Sequence, residues 1–261
     1  MTILDNILAV KQTEVERLLQ QEQSFATTKT PISLTKKIRG TKKLQVIAEI
    51  KRASPSRGNI QTNIAPATQA KLYEKYGAVA ISVLTDSTFF QGSIHDLKQV
   101  AEAVNIPVLC KDFIIHPIQI DQAKAAGASI ILLIVAILSE QQLNELHHYA
   151  TNQGLEVICE VHNKKELQRA FAVNPAIIGI NNRNLKNFSV SLKTTEELTP
   201  YITAPNTIII SESGICSKTD ALFARDAGAD ALLVGETLMR SNNLRQTIQS
   251  FQVERKQANA R

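Results

Sequence analysis

The sequence predicts an α/β protein, a single (β/α)8 TIM barrel with an N-terminal helical extension. Two observations support this fold class. Eight short apolar runs, rich in Ile, Val and Leu, are spread along the 261 residues, and helix-like segments separate them. Runs that are apolar throughout are typical of strands buried on both faces, and their alternation with helices implies a parallel sheet with crossover helices.

The eight apolar runs are the predicted strands, at residues 46–50, 79–84, 106–110, 129–135, 155–159, 177–180, 207–210 and 231–234. An open, doubly wound sheet is the rival arrangement of eight such units. No G-x-G-x-x-G pattern follows the first run, which disfavours the dinucleotide-binding form of that rival. A chain of this length is compatible with one barrel in one domain.

Capping signals mark the helices between the runs. Pro117 stands near the start of one segment and Gly127 just past its end, the usual placement of Pro and Gly at helix termini. Ser139 and Gln142 form a capping-box pattern, and Asn163 opens a similar segment. The predicted helices span residues 66–76, 93–103, 117–126, 139–152, 163–173, 192–198, 217–227 and 244–251.

The first 45 residues do not belong to the repeat, so the barrel itself is assigned to residues 46–261. Apolar residues between Ile3 and Leu19 have the spacing of an amphipathic helix. A second short helix is predicted over residues 34–39. We expect this extension to cap one end of the barrel; a dimerisation arm is the alternative.

Composition excludes several classes of function. The net charge is +5, but the charges are dispersed and Trp is absent, whereas nucleic-acid binding needs a clustered basic surface. No apolar segment reaches transmembrane length, and no His/carboxylate cluster suggests a metal site. Three Cys residues without C-x-x-C spacing favour reduced thiols in a cytoplasmic protein. We therefore expect no nucleic-acid or membrane partner and no metal.

Polar residues follow almost every predicted strand, and the active site of a (β/α)8 barrel lies at the carboxyl ends of its strands. The residues concerned are Glu49, Lys51, Lys111, Glu160, Asn181, Arg183, Glu212 and Ser213. Any one of them could be a solvated loop residue, and Glu49 with Lys51 could be a structural ion pair. Their convergence on one rim favours an active site.

Glycines after the last two predicted strands suggest a phosphate site. Ser213 and Gly214 follow the seventh strand, and Gly235 and Glu236 follow the eighth. Barrels of this type frequently bind phosphate there through backbone N–H groups, and Gly permits the close approach. The loop from Ser54 could add further donors. Although each Gly could serve only a turn, together they predict a phosphorylated, anionic small-molecule substrate, which the modest positive charge also suits.

Six motifs resemble those of the indole-3-glycerol phosphate synthase family: EIKRASPSRG at residues 49–58, LTD at 84–86, FQGS at 90–93, LCKDF at 109–113, IGINNR at 178–183 and SESGI at 211–215. The resemblance covers nearly the whole chain. It implies a carboxy-lyase of tryptophan biosynthesis. The implied reaction is ring closure, decarboxylation and dehydration of 1-(2-carboxyphenylamino)-1-deoxyribulose 5-phosphate to indole-3-glycerol phosphate, CO2 and water, without a cofactor.

The resemblance also implies roles for the catalytic residues. Lys111 resembles the general acid that protonates the ketone oxygen during ring closure. Glu160 and Lys51 resemble the acid–base pair of the dehydration, with their division of labour left open. Glu49 and Asn181 resemble groups that orient the lysine and a substrate hydroxyl, and Ser213 is grouped with them.

The remaining site residues resemble those that bind the substrate. Arg183 would meet its carboxylate, and Phe90, Phe113 and Leu133 would form an apolar slot for its ring. Phosphate and substrate contacts would come from Ser54, Ser213, Gly214, Gly235 and the backbone at Glu236. An isomerase-type barrel or a non-catalytic phosphate-binding barrel would not need Lys51, Lys111 and Glu160 together. A monomer or weak homodimer is expected.

Overall fold

The computed structural model describes residues 3–21, 25, 29–55, 58–61 and 63–255. Eight parallel strands close into a barrel in chain order, with the last strand paired to the first. The strands are β1 Gln45–Ile50, β2 Ala80–Leu84, β3 Val108–Lys111, β4 Ile130–Ile134, β5 Glu156–Val161, β6 Ile177–Asn181, β7 Ile208–Glu212 and β8 Ala231–Val234. The predicted (β/α)8 barrel is thereby confirmed.

All of the predicted helices are present. The helices of the described residues are α1 Ile3–Gln20, α2 Leu34–Arg39, α3 Pro66–Lys75, α4 Ser87–Phe90, α5 Ile94–Ala103, α6 Pro117–Ala125, α7 Glu140–Asn152, α8 Lys164–Ala170, α9 Lys193–Leu198, α10 Lys218–Asp226, α11 Glu236–Met239 and α12 Leu244–Phe251. Among them, α4 and α11 are short additions that the sequence did not predict. Within the described ranges, no helix combines the length and apolar character that a membrane span requires.

The loop after β1 contains an unpredicted two-stranded ribbon, in which Ala53–Ser54 pairs with Gly58–Asn59. Ser56 and Arg57, which belong to the phosphate-binding loop suggested by the sequence, lie outside the described residues. The predicted capping box of α7 is confirmed. Gln142 N donates to Ser139 Oγ at 3.2 Å, and Ser139 N donates to Gln142 Oε1 at 3.0 Å.

Side chains alternate along each strand between two apolar cores. One core fills the barrel interior and includes Ile47, Leu109 and Ile158. The other lies between strands and helices and includes Cys110 and Cys159, both buried free thiols. The alternation of inward and outward side chains continues to the carboxyl end of each strand. The last inward-pointing side chain of several strands therefore lies in the mouth of the barrel.

The two helices that precede β1 contact opposite ends of the barrel. Leu34 and Ile38 of α2 are fully buried and pack into the interior core at the amino ends of the strands. Ile3 and Ile7 of α1 instead line a cavity at the carboxyl ends.

Glu156, the first residue of β5, anchors α2. Its carboxylate accepts hydrogen bonds from Leu34 N at 2.6 Å, Ser33 Oγ at 2.7 Å and Thr35 Oγ1 at 2.6 Å. A carboxylate at a helix N-terminus is also favoured by the helix dipole. The carboxylate therefore satisfies donors at the start of α2 that would otherwise lack partners.

We expect Glu156→Ala to lower the free energy of unfolding by about 2–3 kcal/mol, because the donors of α2 lose a charged acceptor. Urea denaturation measures the change. Glu145→Ala, on the exposed face of α7, is the matched control and should change stability by less than about 0.5 kcal/mol. Equal stability of the two variants would contradict the anchoring role.

Candidate active site

A cavity of about 540 Å³ opens at the carboxyl ends of the strands. All but one of the residues predicted from the sequence line it. They are Glu49, Lys51, Ser54, Phe90, Lys111, Phe113, Glu160, Asn181, Arg183, Ser213, Gly214, Gly235 and Glu236. The Phe90 and Phe113 rings lie next to each other, with centroids 6.0 Å apart. The strand-end residues therefore meet at one site.

Leu133 is the exception, and its assignment to the apolar slot is wrong. Its side chain is fully buried in the core between strands and helices. The neighbouring residues Leu132 and Ile134 point inward and line the cavity instead. Because side chains alternate along a strand, a shift of one residue places a side chain on the opposite face.

Lys111 occupies the centre of the charged part of the cavity. Its Nζ lies 3.0 Å from Glu160 Oε2 and also forms an ion pair with Glu212 Oε2. The two carboxylates are almost fully buried. The partly exposed Lys111 ammonium group is thus held between two buried carboxylates that come from β5 and β7.

The cluster shifts the pKa of each member. Burial opposes the charge on Lys111, but Glu212, Glu160 and Glu49 outweigh it and raise the pKa of Lys111. Burial disfavours the charge on Glu160, yet Lys111 and His162 lower the pKa of Glu160 overall. For Glu212, burial and the charges of Glu160 and Glu49 outweigh the attraction of Lys111 and raise the pKa to about 7. At neutral pH Lys111 is therefore protonated and Glu160 is ionised.

His162 lies on the other side of Glu160. Its Nε2 is 3.3 Å from Glu160 Oε1, and its Nδ1 is 2.9 Å from Glu166 Oε2. Burial opposes protonation, but the hydrogen bonds and charges of Glu160 and Glu166 raise the pKa of His162 to about 10. Glu160 therefore lies between two cationic side chains.

Lys51 and Glu49 form a second lysine–carboxylate pair, with Nζ and Oε1 2.6 Å apart. Two glycines make room for the carboxylates of the site. A Cβ at Gly235 would overlap Glu49 Oε1, and a Cβ at Gly179 would overlap Glu212 Oε1. Close packing against Glu49 thus requires Gly at position 235, in addition to the phosphate role predicted for this residue.

A hydrogen-bonded chain links β6 to the loop after β7. Ser213 Oγ donates to Asn181 Oδ1 at 2.9 Å, and Arg183 N donates to the same oxygen at 3.0 Å. Ser213 has a positive φ of 67°, an uncommon conformation for a residue with a Cβ. Buried Asn182 supports this conformation by donating to the Ser213 carbonyl oxygen at 3.1 Å.

Comparison with known proteins identifies the family. A family model described as indole-3-glycerol phosphate synthase matches residues 4–251. The chain belongs to the indole-3-glycerol phosphate synthase family. Relatives with that name are 56% identical in Oceanobacillus iheyensis, over 97% of both chains, and 51% identical in Exiguobacterium sibiricum, over 93% of this chain and 94% of the relative. This membership makes the chain an enzyme, a carboxy-lyase of tryptophan biosynthesis.

A solved structure of a mandelate oxidase variant shares the fold alone. It superposes with a TM-score of 0.61 at 14% identity and covers 81% of this chain and 74% of that chain.

Several cavity residues of this indole-3-glycerol phosphate synthase family member have no role in the sequence prediction. Glu212 was recognised only as a strand-end residue, although it contacts Lys111. Ile3, Leu4 and Ile7 reach the cavity from α1, and Phe188 reaches it from the loop after β6. The sequence could have predicted that Glu212 points into the barrel, because it lies on the same face of its strand as Ile208 and Ile210. The other residues depend on how remote segments fold over the rim.

The described part of the chain contains no group of three or more His, Cys, Asp or Glu side chains arranged to hold a metal ion. The charged groups that line the cavity include the lysine–carboxylate pairs, Arg183, Asp112, Glu236 and Arg240. Proton transfer and charge stabilisation are the chemistry that these groups can carry.

Proposed function

We propose that this cavity converts 1-(2-carboxyphenylamino)-1-deoxyribulose 5-phosphate into indole-3-glycerol phosphate, CO2 and water, with Lys111 as the acid of ring closure. The observation that carries the proposal is the position of Lys111 Nζ between the buried carboxylates of Glu160 and Glu212. Both partners keep the ammonium protonated, so that it has a proton to donate in the cavity.

Ring closure joins the carboxyl-bearing ring carbon to the ketone carbon. The electrons of the carbonyl bond move to its oxygen, which needs a proton, and Lys111 supplies it. Loss of CO2 then returns the electrons of the broken bond to the ring. Arg183 lines the same cavity, where its guanidinium group would hold the substrate carboxylate.

Dehydration removes the new hydroxyl group together with a proton of the substrate. It therefore needs one group that accepts a proton and one that protonates the leaving oxygen. Glu160 lines the cavity and is ionised at neutral pH, and it is assigned the accepting role. Lys51, held 2.6 Å from Glu49, suits the donating role. We assign the two roles in this way.

Apolar and polar walls of the cavity fit different parts of the substrate. Phe90 and Phe113, with Leu132 and Ile134 in place of Leu133, provide the apolar surface for the aromatic ring. The phosphate is assigned to the loops after β7 and β8, where Ser213, Gly214, Gly235 and Glu236 line the cavity together with Ser54 from the first loop. Asn181 is assigned to a substrate hydroxyl.

Inorganic phosphate tests the anion site without changing the protein. Substitution of Gly235 is unsuitable, because a side chain there would displace Glu49. We expect phosphate to raise KM and leave kcat unchanged, measured by the fluorescence of the indole product, while chloride at equal ionic strength has no such effect. A soaked crystal should show the anion at the backbone of Gly214 and Gly235. An anion bound elsewhere, or inhibition that lowers kcat alone, would contradict this assignment.

The fluorescence assay also tests the function itself. The protein should form indole-3-glycerol phosphate from the carboxyphenylamino substrate, and absence of this product would refute the proposal. Free Cys110, Cys159 and Cys216 suit a reducing compartment, so we assign the enzyme to the cytoplasm. A monomer or weak homodimer stays the expected oligomeric state.

A further inference from the structure

Lys11 of α1 is a buried lysine on a helix outside the barrel. It is only 2% exposed, although lysine is almost never fully buried unless it is paired. Its Nζ lies 2.6 Å from Glu14 Oε2, 2.8 Å from Asp112 Oδ1 and 3.2 Å from Asp86 Oδ2. The reaction assigned above does not use this cluster.

Asp112 connects Lys11 to the catalytic strand end. It follows Lys111 in the chain, and its Oδ1 also accepts a hydrogen bond from Phe113 N at 2.7 Å. Its Oδ2 accepts a hydrogen bond from Thr85 Oγ1. The carboxylate that pairs with Lys11 is thus fixed between the loops after β2 and β3.

Asp86 connects Lys11 to a second wall of the cavity. Its Oδ1 accepts a hydrogen bond from Phe89 N at 2.7 Å and caps α4, the helix that ends at Phe90. Its Oδ2 is buried and makes no hydrogen bond within the described ranges. Lys11 therefore provides the nearby positive charge for that oxygen.

The same face of α1 reaches into the cavity. Ile3, Ile7 and Lys11 are spaced four residues apart, so their side chains lie in one row. Ile3 and Ile7 line the cavity, and Ile7 is buried. The ion pairs of Lys11 hold the next position of that row against the loops after β2 and β3.

We infer that Lys11 is a positioning residue for substrate binding, which fixes α1 so that Ile3 and Ile7 form part of the wall around the substrate ring. Buried ion pairs contribute little net stability compared with apolar packing but hold a defined geometry. Burial opposes the charge, yet Asp112, Glu14 and Asp86 raise the pKa of Lys11, so the pairing persists at neutral pH. The inference rests on the proposed function, since it concerns the substrate of that reaction.

The test is steady-state kinetics of Lys11→Met, which keeps the length of the side chain and removes its charge. We expect KM to rise about tenfold and kcat to stay within about threefold of the parent, because the wall binds substrate and transition state alike. Parental KM, or a fall in kcat with KM unchanged, would overturn the inference. If Lys11→Met does not fold, Lys11→Gln, which keeps hydrogen-bond donors for the carboxylates, should raise KM at least about threefold; parental KM would again overturn it.

Three further variants separate positioning from general loss of stability. Glu156→Ala weakens the anchor of α2 at the opposite barrel end and should keep the parental KM. A similar rise in KM for Glu156→Ala would overturn the specific role of Lys11. Ile7→Ala should also raise KM. In the double variant Lys11→Met/Ile7→Ala, the free-energy change for substrate binding should be smaller than the sum of the two single changes, because both residues act through one wall. Full additivity would overturn the link between Lys11 and that wall.

An active parent enzyme is the reference for all of these variants. Failure of the parent to form indole-3-glycerol phosphate would refute the proposed function. If the parent is active, parental KM values in the Lys11 variants would overturn the Lys11 inference alone.

Discussion

Lys111→Ala is expected to fold and to lose about 10²–10⁴ in kcat, the usual contribution of an acid–base group. The ammonium held between Glu160 and Glu212 is the group placed to protonate the ketone oxygen during ring closure. A methyl group can neither donate that proton nor balance the two carboxylates. Indole fluorescence at saturating substrate measures kcat, and urea denaturation establishes that the variant is folded.

A second variant distinguishes lost acid catalysis from a distorted site. Without Lys111 the carboxylates of Glu160 and Glu212 repel each other or take up protons. Lys111→Ala/Glu212→Gln removes that repulsion and should remain as slow as the single variant. Recovery of turnover in the double variant, or near-parental kcat in folded Lys111→Ala, would contradict the assignment of Lys111 as the acid.

Glu160→Gln is expected to bind the substrate within about tenfold of the parent and to slow the chemical step by about 10²-fold or more. Gln keeps the volume and hydrogen-bonding capacity of Glu but cannot accept a proton as a carboxylate does. Substrate binding rests mainly on phosphate and ring contacts elsewhere in the cavity. Single-turnover kinetics over a range of enzyme concentrations separates binding from chemistry.

The control for Glu160→Gln lies on the same strand. Glu156→Gln makes the same change at the amino end of β5, where the carboxylate contacts α2 rather than the cavity. It should lower stability and leave the chemical rate unchanged. Parental turnover of Glu160→Gln, or a defect confined to substrate binding, would show that Glu160 is a structural or positioning residue and takes no part in proton transfer.

The barrel and most of the site could be predicted from the sequence for a simple reason. Strands of a closed parallel barrel are buried on both faces, so each one appears as an apolar run, and its carboxyl end appears as the first polar residue after the run. Lys111 and Glu160 were found in this way, and the family motifs supplied their roles. The order of strands around the barrel then follows from the alternation with helices.

Because these runs are apolar throughout, the sequence does not show which side chains of a strand point into the barrel. Residues 130–134 are all apolar, so nothing in that run distinguishes Leu133 from Leu132 or Ile134. The error at Leu133 follows from this, since only the pairing of β4 with its neighbours sets the phase. In β1 the charged Glu49 and Lys51 mark the inward face, and there the predicted side-by-side placement agrees with their 2.6 Å separation.

Contacts between remote segments were beyond the sequence. Nothing next to Lys11 in the sequence indicates that it is buried. Its partners Asp86 and Asp112 come from the ends of β2 and β3, far away in the chain. Glu212 shows the same difficulty, because its partner Lys111 is 101 residues away. Local patterns locate a charged residue at a strand end, but tertiary structure decides its partner.

The most direct test of the proposed reaction is a single turnover of the parent enzyme with 1-(2-carboxyphenylamino)-1-deoxyribulose 5-phosphate, in which CO2 release and indole fluorescence are recorded together. One cavity that performs ring closure, decarboxylation and dehydration should give CO2 and indole-3-glycerol phosphate in equal amounts. Both signals should be slowed in Lys111→Ala, since ring closure comes first. CO2 without indole, or indole formation that is unaffected by Lys111→Ala, would contradict the mechanism.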